Sequence, residues 1–412
     1  MNHTRRRARP AFAGRLALLT IAVTLAASTF TGLGPAGAEE QPGATAPTAP
    51  TAPAGAPGDV ISAEPYSFKV VPGLPTPTKA WKIFYHSTDA LGQPSVVSGT
   101  VIVPEDGKTG TRPLVTYAVG TVGMGDQCAP SATFIQGKNL EGMSVGELLM
   151  RGWAVAVTDY PGLGTPGDHP YLVGRSEGTA VLDAARAAQR LPELRQAGVS
   201  PASPVGIMGY SQGGQASAWA AELAGEYAPE LQVKAAASGG VPADVLKDAL
   251  DKNGSDGNPA ASLMVAIGHD AAYPELDLDS YLTAQGRDLV QQLRGGCVLD
   301  NVRAGEGHSL NEALARNPLD DPQWRQRLGE DRLGSVRTAF PLYLFHGTTD
   351  QVVSYGLGEQ LRADWCAGGN TVEWHAYPLA DHAGAVMIGG DDAVDWLGER
   401  LNGRPAQGNC GS

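Results

Sequence analysis

The chain has 412 residues, of which 42% are hydrophobic and 18% charged. That length exceeds one ordinary core and implies a large domain with an insertion, or two small ones. A formal net charge of −13 repels phosphate backbones and sets nucleic acid aside as a partner.

Residues 1–38 read as an export signal. Arg5, Arg6, Arg7, Arg9 and Arg15 form a positive head, and Leu16 to Ala27 is an apolar stretch too short to span a bilayer comfortably. Ala36-Gly37-Ala38 then offers small residues for cleavage after Ala38, which would release an extracellular protein. Arg5-Arg6 points to twin-arginine export, Pro10 and the long gap before the apolar stretch weaken that reading, and the route stays open. Residues 39–59 contain the Pro/Ala/Thr tract from Pro42 to Pro57. With no large apolar side chain to bury, they are expected to form an extended linker.

From Val60 the pattern turns to strands and helices in alternation. Trp81–Tyr85 and Val96–Val103 suggest an opening antiparallel pair. Pro113–Val119 and Trp153–Thr158 are nearly unbroken apolar runs, the first leading into the glycine-rich Gly120–Gly125. Ser176 can cap a helix carrying Val181, Leu182 and Ala185. Val205–Gly209 is a short buried strand followed by a long alanine-rich helix, and Lys234–Ser238 and Phe340–Phe345 add further strands. Apolar runs without in–out alternation, separated by helices, indicate a mostly parallel central sheet with helices on both faces. The strand rhythm stops between about Pro242 and Val336, a stretch too long for a loop. The expected layout is therefore a core in two parts, 60–240 and 338–412, interrupted by an inserted helical cap or lid over 241–337.

Gly209-Tyr210-Ser211-Gln212-Gly213 matches G-x-S-x-G. Five residues recur by chance, but here they follow a buried strand and open a helix, the setting that holds a serine on a tight, strained turn. A serine hydroxyl needs an adjacent base, itself oriented by a third group. On the α/β-hydrolase frame that this turn belongs to, the chain order is Ser, then acid, then His. Asp350 stands just past the Phe340–Phe345 strand, and only His375 and His382 follow it. His375 sits inside the strand pattern Val372–Tyr377, where a packed role is expected. His382 falls on the next loop and is the expected base. Ser211, Asp350 and His382 thus form the candidate catalytic triad. One oxyanion donor is expected at the backbone N–H of Gln212 and the other at Thr121, with Val122 as the alternative. No H-E-x-x-H and no ligand-spaced His or Cys cluster is present, so no metal and no cofactor are expected.

Cys128, Cys297, Cys366 and Cys410 form an even set, which in an exported chain favours disulfides, with three connectivities open.

Several short motifs in order give the chain a resemblance to the secretory lipase family, the fungal lipase A type and its actinobacterial relatives. They are Asp126–Ser131, Gly209–Gly214, Glu226–Leu231, Ser238-Gly239-Gly240, Arg294–Cys297 and Tyr377–His382. The resemblance implies the α/β-hydrolase fold, the same triad, disulfides Cys128–Cys297 and Cys366–Cys410, and a helical cap over the pocket. It also implies a lipase acting on acylglycerols or other carboxylic esters, in transient contact with a lipid interface; it implies no protein partner either way. A carboxylesterase or acyltransferase using the same triad, and a silent binding protein on the same fold, are the competing expectations. One departure stands out. Fungal members carry an acidic side chain in the oxyanion loop, where this chain has Gly120-Thr121-Val122-Gly123.

Overall fold

The computed structural model describes residues 55–254 and 257–411. The export signal, its cleavage point and most of the Pro/Ala/Thr tract lie outside the described residues. The strands are β1 (Val60–Tyr66), β2 (Thr78–Thr88), β3 (Pro94–Pro104), β4 (Leu114–Ala118), β5 (Ala154–Thr158), β6 (Val205–Tyr210), β7 (Val233–Gly239), β8 (Leu342–Gly347) and β9 (Val372–Tyr377). They form one sheet in the order β1-β2-β3-β5-β4-β6-β7-β8-β9. β1, β2, β3 and β5 pair antiparallel in turn, and all pairings from β5 through β4 to β9 are parallel. This is the α/β-hydrolase fold.

The central parallel strands are apolar because water reaches neither side. β4, β5, β6 and β8 are buried at every residue. Two glycines of β6 locate the layers. A Cβ on Gly206 would meet Leu397 of the helix His382–Leu401 at 3.0 Å. A Cβ on Gly209 would meet the Gly213 carbonyl, in the helix Gln212–Tyr227, at 2.1 Å. Residues three apart on a strand face opposite ways, so these two helices cover opposite sides of the sheet. β1 escaped the sequence reading because it is an edge strand, partly exposed throughout, with no apolar run.

Ser176 does not cap its helix. The helix starts earlier, at Gly174, and Ser176 is buried in its first turn. Asp331, from far along the chain, accepts the Gly174 N–H at 2.7 Å, so a distant carboxylate satisfies the helix start.

Between β7 and β8 the chain leaves the sheet and builds helices from Val245 to Glu330. They share a second apolar core around Leu263, Ile267, Leu289, Leu293 and Trp324. Tyr171, Leu172 and Val173, from the loop after β5, belong to the same cluster. The Cys128–Cys297 disulfide ties this region to the loop after β4. Cys366–Cys410 fastens the C-terminal tail, where the Asn409 N–H donates to the Val372 carbonyl at 2.8 Å and covers the outer edge of β9. Among the described residues no helix is long and apolar enough to cross a membrane.

Candidate active site

β6 ends in the turn that carries Ser211. Its backbone lies at φ 61° and ψ −123°, a conformation L-residues rarely adopt. The flanking glycines explain how the turn closes. A Cβ on Gly213 would sit 2.0 Å from the Ala118 carbonyl of β4, so any side chain there would drive the start of the helix Gln212–Tyr227 away from β4. The Ser211 N–H donates to the Gly239 carbonyl at 2.9 Å, anchoring the turn to β7.

Three strand ends bring the candidate triad together. His382 Nε2 lies 2.9 Å from Ser211 Oγ, and His382 Nδ1 lies 2.7 Å from Asp350 Oδ2. Asp350 Oδ1 accepts the N–H groups of Val352 and Val353 at 2.9 Å each. Burial alone would push the Asp350 carboxyl up. Hydrogen bonds from His346 and His382, the charge of His382 and the Val353 N–H outweigh it and hold the group well below the usual carboxylate range. His382 opens its helix behind Asp381, whose side chain accepts the Gly384 N–H. Tyr210 donates its hydroxyl to the His382 carbonyl at 2.7 Å, its ring 5.0 Å from the imidazole. His375 is not brought to Ser211. It stacks on Tyr343 at 5.0 Å and pairs with Glu373.

Thr121, Ser211 and Gln212 line one cavity of about 130 Å³. Its remaining wall is largely apolar and includes Val245, Leu263, Val265, Leu314 and Trp324 of the inserted helices. That volume is well below the ~300–1,000 Å³ of an ordinary small-molecule pocket. The conformation is therefore a closed one, with room for a short apolar chain only.

The Gly120 N–H donates to the Glu141 carboxylate, which also accepts the Tyr117 hydroxyl at 2.6 Å. Gly120 is thus engaged. Of the two alternatives, Thr121 lines the cavity and Val122 does not. Burial pushes Glu141 up to about 7, against the pull of the Tyr117 and Gly120 hydrogen bonds. Sequence reasoning missed Glu141. Its carboxylate reaches the Gly120–Gly123 loop from 21 residues downstream of Gly120. Sequence reasoning also missed His346, which directly follows the Phe340–Phe345 strand, and assigned no role to Tyr210 inside G-x-S-x-G. Asp159 ties elements together instead of facing the cavity. Its buried carboxylate accepts from Ser98 at 2.7 Å and from the Ser131 hydroxyl at 2.6 Å. Among the described residues no group of three or more His, Cys, Asp or Glu side chains is placed to hold a metal.

Residues 129–409 match the family described as Secretory lipase. A Mycobacterium tuberculosis protein named "Probable inactive lipase MT1628" is 32% identical over 365 residues, covering 85% of this chain and 79% of that one. "Secreted triacylglycerol lipase LIP5" of Malassezia furfur is 29% identical over 335 residues, covering 76% of this chain and 84% of that one. Among solved structures, Candida antarctica lipase A in its closed state superposes with a TM-score of 0.74 at 22% identity, covering 87% of this chain and 85% of that one.

Proposed function

The chain belongs to the secretory lipase family, and from that premise we propose that it is an exported serine hydrolase that cleaves lipid esters through an acyl-enzyme on Ser211. The observation that carries this reading is the unbroken hydrogen-bonded path from Asp350 through His382 to Ser211, at 2.7 and 2.9 Å. Ser211 Oγ attacks the ester carbonyl while His382 Nε2 takes its proton. Asp350 holds Nδ1–H and so fixes which ring nitrogen is free to act. The backbone N–H groups of Gln212 and Thr121 receive the oxyanion, each worth about 3–4 kcal/mol by analogy with single-donor removals. His382 then protonates the departing alcohol, and water, activated by the same imidazole, releases the acid.

The apolar lining favours an acyl chain as occupant, and the small closed volume means that long chains need the inserted helices to move. Acylglycerols are therefore the proposed substrates, met at a lipid surface after removal of residues 1–38.

The name of the mycobacterial relative raises the alternative of a silent member. A fluorophosphonate probe separates the two. Labelling of the wild type and none of Ser211→Ala is expected, whereas equal labelling of both would remove Ser211 as nucleophile. Rate against acyl chain length then separates lipase from esterase. A jump in long-chain hydrolysis above the solubility limit supports the lipase reading, and a smooth saturating curve supports a soluble-ester enzyme.

A further inference from the structure

Beneath the two donor-bearing loops lies a buried polar layer that the triad does not use. Its hub is the side chain of Gln212. The amide nitrogen donates to Glu177 Oε1 at 2.7 Å and meets His169 Nε2 at 2.8 Å. An amide NH₂ has no lone pair to offer, so His169 accepts at Nε2 and carries its proton on Nδ1, which faces the Pro161 carbonyl at 2.9 Å. The ring is neutral, in keeping with burial that pushes its pKa down to about 4. Glu177 Oε1 also accepts the Leu172 N–H at 3.0 Å, while Oε2 has no hydrogen-bond partner. Glu177 and His169 are both fully buried, and burial raises the Glu177 carboxyl well above its usual range.

The segment that carries His169 also reaches the other donor loop. Tyr160 donates its hydroxyl to the Val119 carbonyl at 2.7 Å, one residue before Gly120. The Tyr171 hydroxyl lies 2.8 Å from Thr121 Oγ1. Tyr160 stacks on His169 with ring centres 5.6 Å apart. Tyr160 and Leu172 hold φ values of 68° and 57°, a left-handed conformation that a non-glycine residue keeps only where its surroundings impose it. One loop, running from Tyr160 to Leu172, therefore grips the Val119–Thr121 strand end on one side and Gln212 on the other.

We infer that Glu177 and His169 are positioning residues that set the backbone N–H of Gln212 against that of Thr121, so that the spacing of the oxyanion donors is fixed by the Tyr160–Leu172 loop. The inference rests on the reading of Ser211 as nucleophile. Gln212 follows a strained serine and is the first residue of its helix, where N–H groups have no intrahelical partner. Anchoring its side chain leaves that peptide less room to turn away.

The test compares Glu177→Leu, Glu177→Gln and Gln212→Ala with the wild type. Rates on a short-chain ester are normalised to Ser211 sites titrated with fluorophosphonate, which removes unfolded protein from the comparison. Glu177→Leu and Gln212→Ala are expected to lose kcat by about 10–100-fold, the scale of a small misplacement at the reacting centre, with KM within about twofold. Affinity for an alkylboronic acid, whose adduct places an oxygen at the same donors, should fall in proportion. Glu177→Gln keeps the shape of Glu177 and an oxygen that accepts from Gln212 and Leu172, and should recover most of the loss. If Glu177→Leu does not fold, Gln212→Ala decides, because it leaves Glu177 paired with Leu172. Full kcat per titrated site in Gln212→Ala, or a change confined to melting temperature, overturns the inference. A wild type that fluorophosphonate does not label at Ser211 would instead overturn the serine-hydrolase reading beneath it.

Discussion

Ser211, Gln212 and Thr121, on the sheet side of the cavity, are held by hydrogen bonds and by glycines that let backbones nearly touch. On the opposite side, Val265, Leu314 and Trp324 are held by apolar packing within the inserted helices. Specific ties cluster at the seam between the halves: the Cys128–Cys297 disulfide with the Val298 N–H on the Val122 carbonyl beside it, Arg294 on Asp168, the Asp331 carboxylate shared by Gly174 and His269, and Lys252 Nζ on the Val352 carbonyl among them. Directional bonds fix atoms to fractions of an ångström, whereas apolar contacts tolerate sliding. Chemistry should therefore reside on one side and substrate choice on the other, and mutations should separate them.

The largest effect belongs to the sheet side. Ser211→Ala should lower kcat by roughly 10⁶-fold, and Asp350→Asn by about 10⁴-fold, with little change in melting temperature. Equal losses on short and long esters would support the division, and a loss confined to long esters would break it. Next comes the tie itself. Its cysteines are 169 residues apart, and replacing both with alanine removes a loop constraint worth at most about 5 kcal/mol in the chain-entropy picture. Differential scanning calorimetry should show a lower transition, while short-ester kcat per folded molecule persists. Loss of that kcat would mean that the two halves are not separable.

On the cap side, Ala266→Trp fills part of the cavity that Ala266 lines. Hydrolysis of an octanoyl ester should fall about 10–100-fold relative to an acetyl ester, the scale on which pockets discriminate by size. An unchanged ratio would place the acyl chain elsewhere. The smallest effect sharpens the sheet side. Glu141 is raised to about 7 from an ordinary 4.5, so its folded form keeps a proton that the unfolded chain releases. Its contribution to stability is fully present below pH 4.5 and is lost as pH rises through 7. Glu141→Gln should flatten that part of a plot of urea midpoint against pH, and an unaltered slope would contradict the assignment.

The legible parts of the sequence share one property. Strands buried on both faces spell themselves as apolar runs, and G-x-S-x-G needs its glycines for local reasons that Gly209 and Gly213 make visible. The choice of His382 over His375 was possible because one lies within a strand pattern and the other beyond it. What stayed hidden depends on approach across the fold. Glu141 reaches Gly120, His346 supports Asp350, and Glu177 finds Gln212 only once the sheet has closed. No periodicity encodes such meetings, and a buried glutamate reads in one dimension like a solvated one. Ser176 misled for the same reason, since Asp331 meets the helix start from 157 positions away.

The most direct test is the mass of the chain during turnover. Mixed with excess p-nitrophenyl ester and quenched in acid within the first turnovers, the protein should gain one acyl group. Peptide mapping should place that group on Ser211, with a matching burst of nitrophenol. Turnover without an adduct, or an adduct on any other side chain, would contradict the account.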